Sequence, residues 1–90
     1  MPKKKYSKPS TRTGEEISSA EPGDFCYYLT TSNKTAFAEI KKVLTENDIL
    51  VFQILCQTDY KFMSLPAIFC AFDEKSLKGK KRADLYVEVK

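Results

Sequence analysis

Three thiols are the first groups with chemistry to offer: Cys26, Cys56 and Cys70, in a chain with no histidine. They are odd in number, far apart, and form no Cys-x-x-Cys pair. A zinc site would have to complete its ligand set from carboxylates alone, which is uncommon for that metal. As nucleophiles the thiols lack an imidazole base, and each sits in an apolar run that raises thiol pKa. They read as buried free thiols of a reducing compartment. The adjacent carboxylates Asp73 and Glu74 invite an acid–base or metal reading. Their place at the start of a short helical turn explains them more simply, because negative charge is favoured at that end of the dipole. With only three glycines, no loop can cradle a phosphate. The expectation is a non-enzyme without cofactor, metal or small-molecule substrate.

Two kinds of binding chemistry remain. Lys78, Lys80, Lys81 and Arg82 form a compact basic cluster, expected to be solvated, to which Lys3, Lys4, Lys5, Lys8 and Arg12 can add. Such groups contact phosphates without reading sequence, and the binding weakens with salt. Tyr28, Tyr60 and Phe62 could supply stacking faces for single-stranded nucleic acid, although core packing or cross-strand pairing accounts for each of them too. The competing class is an interaction or assembly module that binds another protein or itself. Its candidate surface joins Ile49, Val51 and Leu55, an apolar second face that needs cover, to an edge formed by Leu85, Val87 and Val89. A cage for a methylated cation from Tyr27, Tyr28, Tyr60 and Phe62 would require the rings to converge. The expected partners are therefore a protein or a second copy, with nucleic acid as the alternative, and no membrane.

These groups must be positioned by a small amount of structure. The 90 residues carry a net charge of +3 that is segregated along the chain. Residues 1–22 hold five basic and three acidic groups, residues 23–74 four and seven, and residues 75–90 six and two. Residues 1–22 are rich in Lys, Pro, Ser, Thr and Glu, with Ile17 the only large aliphatic residue after Met1. They cannot bury enough apolar area to offset ordering entropy and are expected to form a flexible basic arm. Residues 23–90 then make one small domain, near the lower limit for a self-sufficient core. No secretory signal is apparent, since polar residues follow the Lys cluster. No run is long enough to span a bilayer as a helix. The expected location is cytoplasmic.

The domain is organised around residues 49–58, Ile-Leu-Val-Phe-Gln-Ile-Leu-Cys-Gln-Thr. Leu50, Phe52, Ile54 and Cys56 fall on one face at period two, and Ile49, Val51 and Leu55 on the other, broken by Gln53 and Gln57. This spacing predicts a central strand. Residues 25–30 read as an aromatic first strand and residues 60–65 as a fourth. Residues 67–72 read as a short buried piece, residues 73–78 as one helical turn, and residues 84–89 as an edge strand. Thr35–Glu46 is ambiguous. Helical periodicity collects Phe37, Ile40, Val43 and Leu44 on one face. Evenly spaced turn signals at Gly23-Asp24, Ser32-Asn33, Asn47-Asp48, Thr58-Asp59 and Leu65-Pro66 instead suggest a meander of short strands. The expected fold is mainly β, a small five-stranded barrel with a short helical turn; the alternative is α+β, with Thr35–Glu46 as a helix on an antiparallel sheet.

From residue 22 to residue 72 this layout resembles the small SH3-like barrels of the KOW and Tudor type. Gly23-Asp24-Phe25 opens an aromatic strand as theirs does. Ala38-Glu39-Ile40 is similar to their second strand, with Ala38 where glycine is usual. Leu65-Pro66-Ala67 resembles the end of a strand that leads into a short turn. The resemblance implies a barrel and no particular ligand. A basic arm on a compact domain is also similar to small proteins of tailed bacteriophages, which would make the cytoplasm that of a host.

Overall fold

A computed structural model of the chain describes residues 12 and 14–85. Five antiparallel strands form one sheet: β1 (Phe25–Leu29), β2 (Thr35–Glu46), β3 (Ile49–Cys56), β4 (Phe62–Pro66) and β5 (Cys70–Ala71). Their spatial order is β4-β3-β2-β1-β5. The protein is mainly β, as the turn spacing suggested, and the expected central strand pairs on both sides.

The ambiguity of Thr35–Glu46 is resolved by one inserted residue. Ile40 pairs with Ile54 and Lys42 with Gln53, so Lys41 has no opposite number and forms a bulge. Before the bulge Ala38 and Ile40 face the core; after it Val43, opposite Phe52, does. A phase change of one residue turned a strand's alternation into something close to a helical period.

Turn chemistry sets the register. Asn47 and Asp48, both at positive φ (52° and 66°), link Glu46 to its partner Ile49 in a two-residue hairpin loop. Short polar side chains tolerate that backbone region, and such turns match the twist of paired strands. Asn33 at φ 66° plays the same part between β1 and β2. Gly23 at φ 99° donates its N–H to the Ile40 carbonyl, which fixes the entry to β1 beside the bulge.

Side chains on the inner face build the core. Phe52, Ile54 and Ile40 are fully buried, together with Phe69 and Phe72 from beyond β4. The sheet does not close into the expected barrel. β5 is two residues long and spends its ladder on Tyr27 and Tyr28 of β1, while β4 pairs with β3 alone. Between them the chain passes Pro66 and runs through a 3-10 turn, Ala67–Phe69, that fills the gap with side chains.

Three further expectations are revised. The edge strand expected over residues 84–89 begins instead as a helical turn, Arg82–Leu85, with Leu85 packed against the core. Val87 and Val89 lie outside the described residues. The fifth strand comes from the apolar piece after Pro66. The packed unit also starts before Gly23: Ala20 is buried, Ile17 packs on the core, and Arg12 pairs with Asp24 while lying over the Phe72 ring. Arg12 carries its aliphatic stem and planar head into contacts that counts of apolar residues do not register. Residues 14–22 of the expected arm are described, with a 3-10 turn at Ile17–Ser19, and residues 1–11 and 13 lie outside the described residues.

Candidate interaction surface

Alternation from Phe25 to Tyr28 sends Cys26 and Tyr28 inward and Phe25 and Tyr27 outward, and Leu29 beyond them is buried. Register carries the outward set across the sheet. Phe25 lies opposite Glu39, Glu39 opposite Leu55, and Leu55 opposite Phe62, so one row crosses four strands. Beside it Tyr27 lies opposite Phe37. The Phe25 and Phe37 rings stack at 5.4 Å and 12°, and Tyr27 meets Phe37 at 5.1 Å and 56°. Glu39, the one charge in the row, is neutralised by Lys41 of the bulge at 3.3 Å. The outer face is thus an aromatic strip ending at Phe62, which is 69% exposed.

Farther along the same face Leu44 pairs with Val51, and Val51 with Pro66. Ile49, 47% exposed, continues this second apolar area. Between it and β4 runs an open groove of about 300 Å³ lined by Ile49, Val51, Ser64, Pro66 and the turn residues Glu46 and Asn47. The outer face therefore gathers the three central-strand candidates, with Val51 buried, Leu55 half-buried and Ile49 open.

Other candidates separate. Tyr28 is not a stacking face: it is 3% exposed inside the sheet, and burial, then the neighbouring Cys56 thiol, push its phenol well above the ordinary range. Tyr60 is exposed on the β3–β4 turn at φ 58°. Tyr28 inside and Tyr27 outside cannot share a cage, so the four rings do not converge. Cys26, Cys56 and Cys70 are free and buried. The thiol of Cys26 beside it, and then burial, hold Cys70 well above the usual thiol value. Among the described residues no group of three His, Cys, Asp or Glu side chains is placed to hold a metal ion. Asp73 caps the 3-10 turn Glu74–Ser76 by accepting from the Ser76 N–H at 3.2 Å, and its pKa is lowered by the Ser76 side chain and backbone donors.

The basic cluster divides. Lys78, Lys80 and Lys81 are exposed and make no ion pair among the described residues. Arg82, expected to be solvated with them, is a structural clamp. Its Nε donates to the Leu29 carbonyl at 3.0 Å, its backbone N–H to Asn33 Oδ1 at 2.8 Å, and its guanidinium lies 4.7 Å from the Phe69 ring centre.

From the sequence Tyr27 is named only as part of the cage and Phe37 only on a helical face, and Phe25 is not named as a surface residue. The period-two contrast of Phe25-Cys26-Tyr27-Tyr28 carried the signal, and applying it would have parted Tyr27 from Tyr28. Comparison with protein-family models, curated proteins and solved structures gave no match. No helix among the described residues is long and apolar enough to cross a membrane.

Proposed function

We propose that the protein is a non-catalytic interaction module that docks on a protein partner through the outer face of its sheet. The observation that carries this reading is the strip from Phe25 and Tyr27 through Phe37 and Leu55 to the exposed Phe62. Rings held on paired strands lose little freedom on binding and bury large areas, which is why aromatics are enriched at interface centres. Apolar surface of this kind on a small domain, crossed here by the Glu39–Lys41 ion pair, marks a place where another surface docks.

The test is affinity capture from cells of the source organism, with wild type beside Phe25→Ser and Tyr27→Ser. Both substitutions lie on the β1 side of the strip and leave the core untouched. The expected result is a defined set of partners captured by wild type and lost from both variants, each of which still folds with a wild-type far-UV spectrum. Identical capture by all three would refute the assignment.

A second reading, sequence-independent nucleic-acid binding, is favoured by Lys78, Lys80 and Lys81, exposed together on one loop without ion-pair partners among the described residues. Three phosphate contacts would give binding that falls steeply with salt. Titration of labelled single- and double-stranded DNA and RNA at two salt concentrations tests it. No binding at low salt removes it.

A further inference from the structure

The free edge of β4 has a feature that a generic docking face lacks. The Cys56 N–H donates to the Lys61 carbonyl at 2.9 Å, which sets the alternation of the β3–β4 ladder. Lys61, Met63 and Leu65 therefore turn their backbone groups toward β3, and Phe62, Ser64 and Pro66 turn theirs away from it. The outward row offers N–H and C=O from Phe62 and Ser64, and C=O alone from Pro66, since proline has no N–H. No strand of the described residues lies on that side of β4, and the Pro66 carbonyl also serves the 3-10 turn Ala67–Phe69 that it begins. Sheet edges are normally blunted by charge, short length or proline; β4, Phe-Met-Ser-Leu-Pro, carries no charge and has its proline at the last position.

We infer that the partner on this edge is a second copy of the chain, its β4 paired antiparallel to the first across a two-fold axis at Ser64. This rests on the reading of the protein as an interaction module and names its partner. A two-fold at Ser64 lets each Ser64 N–H meet the other's carbonyl, and each Phe62 N–H meet the second lone pair of the Pro66 carbonyl in the other copy. The donor that proline lacks falls at the outer end of the ladder, where its loss is least disruptive. The same operation sets each Phe62 side chain opposite Pro66 of the other copy, on the same face of the joined sheet. There the groove between Ile49, Val51 and Pro66 is open, with room for an aromatic ring in its 300 Å³. Tyr60 and Ile68, 69% and 41% exposed, flank the two ends of β4 and approach each other across the axis. All four large exposed apolar side chains of the described residues, Ile49, Tyr60, Phe62 and Ile68, are thus brought to one interface.

A head-to-tail alternative through β5 is poorly supplied, because that strand offers two residues.

The test is light scattering of the full chain against concentration, with amide exchange read at Phe62 and Ser64. Wild type should pass from monomer to dimer mass as concentration rises, with both amides protected in the dimer. Phe62→Lys changes an exposed side chain and should raise the dissociation constant by at least about tenfold, with the melting temperature of the monomer unchanged. Ser64→Pro removes the two donors at the axis and should have the same effect. A strict monomer overturns the second-copy inference; if it still captures a partner through Phe25 and Tyr27, the interaction reading survives, and if it does not, both fall. A dimer indifferent to Phe62→Lys, or one with unprotected Phe62 and Ser64 amides, also overturns the inference.

Discussion

Two side chains show how far a residue's environment departs from its type. Phe52 is fully buried at the centre of β3, where it pairs with Val43 and Leu65 on its two sides. Phe52→Ala should lower unfolding free energy by about 3–5 kcal/mol, because the sheet around it cannot collapse into the space. Chemical denaturation checks this, and a loss below about 1 kcal/mol would contradict the inward placement. Arg82 is polar by type and structural by position. Removing its stack on Phe69 and its bond to the Leu29 carbonyl by Arg82→Ala should cost about 1–2 kcal/mol. Lys80→Ala and Lys81→Ala, on the same basic run, should stay within about 0.5 kcal/mol. Equal effects from the three would show that the clamp contributes nothing.

Among the elements, the hairpin turn and the capped 3-10 turn give the clearest expectations. Asp48 holds a left-handed conformation at φ 66° that glycine adopts without a steric cost. Asp48→Gly should therefore stabilise the β2–β3 hairpin by about 0.5–1 kcal/mol, seen as a rise in melting temperature. Asp73 caps its turn as a carboxylate, and its folded pKa lies below the ordinary 3.8. The sign follows from linkage: the contribution is present above the ordinary value and is lost as pH falls through the lowered folded one. The melting-temperature difference between wild type and Asp73→Ala should thus be constant at neutral pH and shrink as the solution is taken below the ordinary carboxylate value. A gap that is independent of acid would mean that the cap does not depend on charge.

For the molecule as a whole, the sheet predicts a gradient of protection. Amides at Ile40, which donates to the Asp24 carbonyl, and at Ile54, paired inside the sheet, should exchange slowest, and β5 faster, since two residues of ladder open easily. Uniform exchange across the strands would argue against a sheet ordered β4-β3-β2-β1-β5. Much of this architecture is legible in the chain. Turn residues bracket four of the strands, and the alternation of Leu50, Phe52, Ile54 and Cys56 identifies the covered face of the central one. Three things were not legible. Lys41 hides the strand character of Thr35–Glu46, because a bulge is defined by what lies opposite, not by its own residue type. The aromatic strip exists only when Phe25, Phe37, Leu55 and Phe62, distant in sequence, are set side by side by register. Arg82 reads as one more charge until Phe69, thirteen positions earlier, is folded beneath it. Composition and spacing on their own determined a small β domain without histidine chemistry and with its hairpin turns in place, since those depend on neighbours within a few residues. Pairing between segments far apart in the chain decided which aromatics face outward, which basic residue is structural and which edge stays open, because each of these is a relation across strands that no local pattern contains.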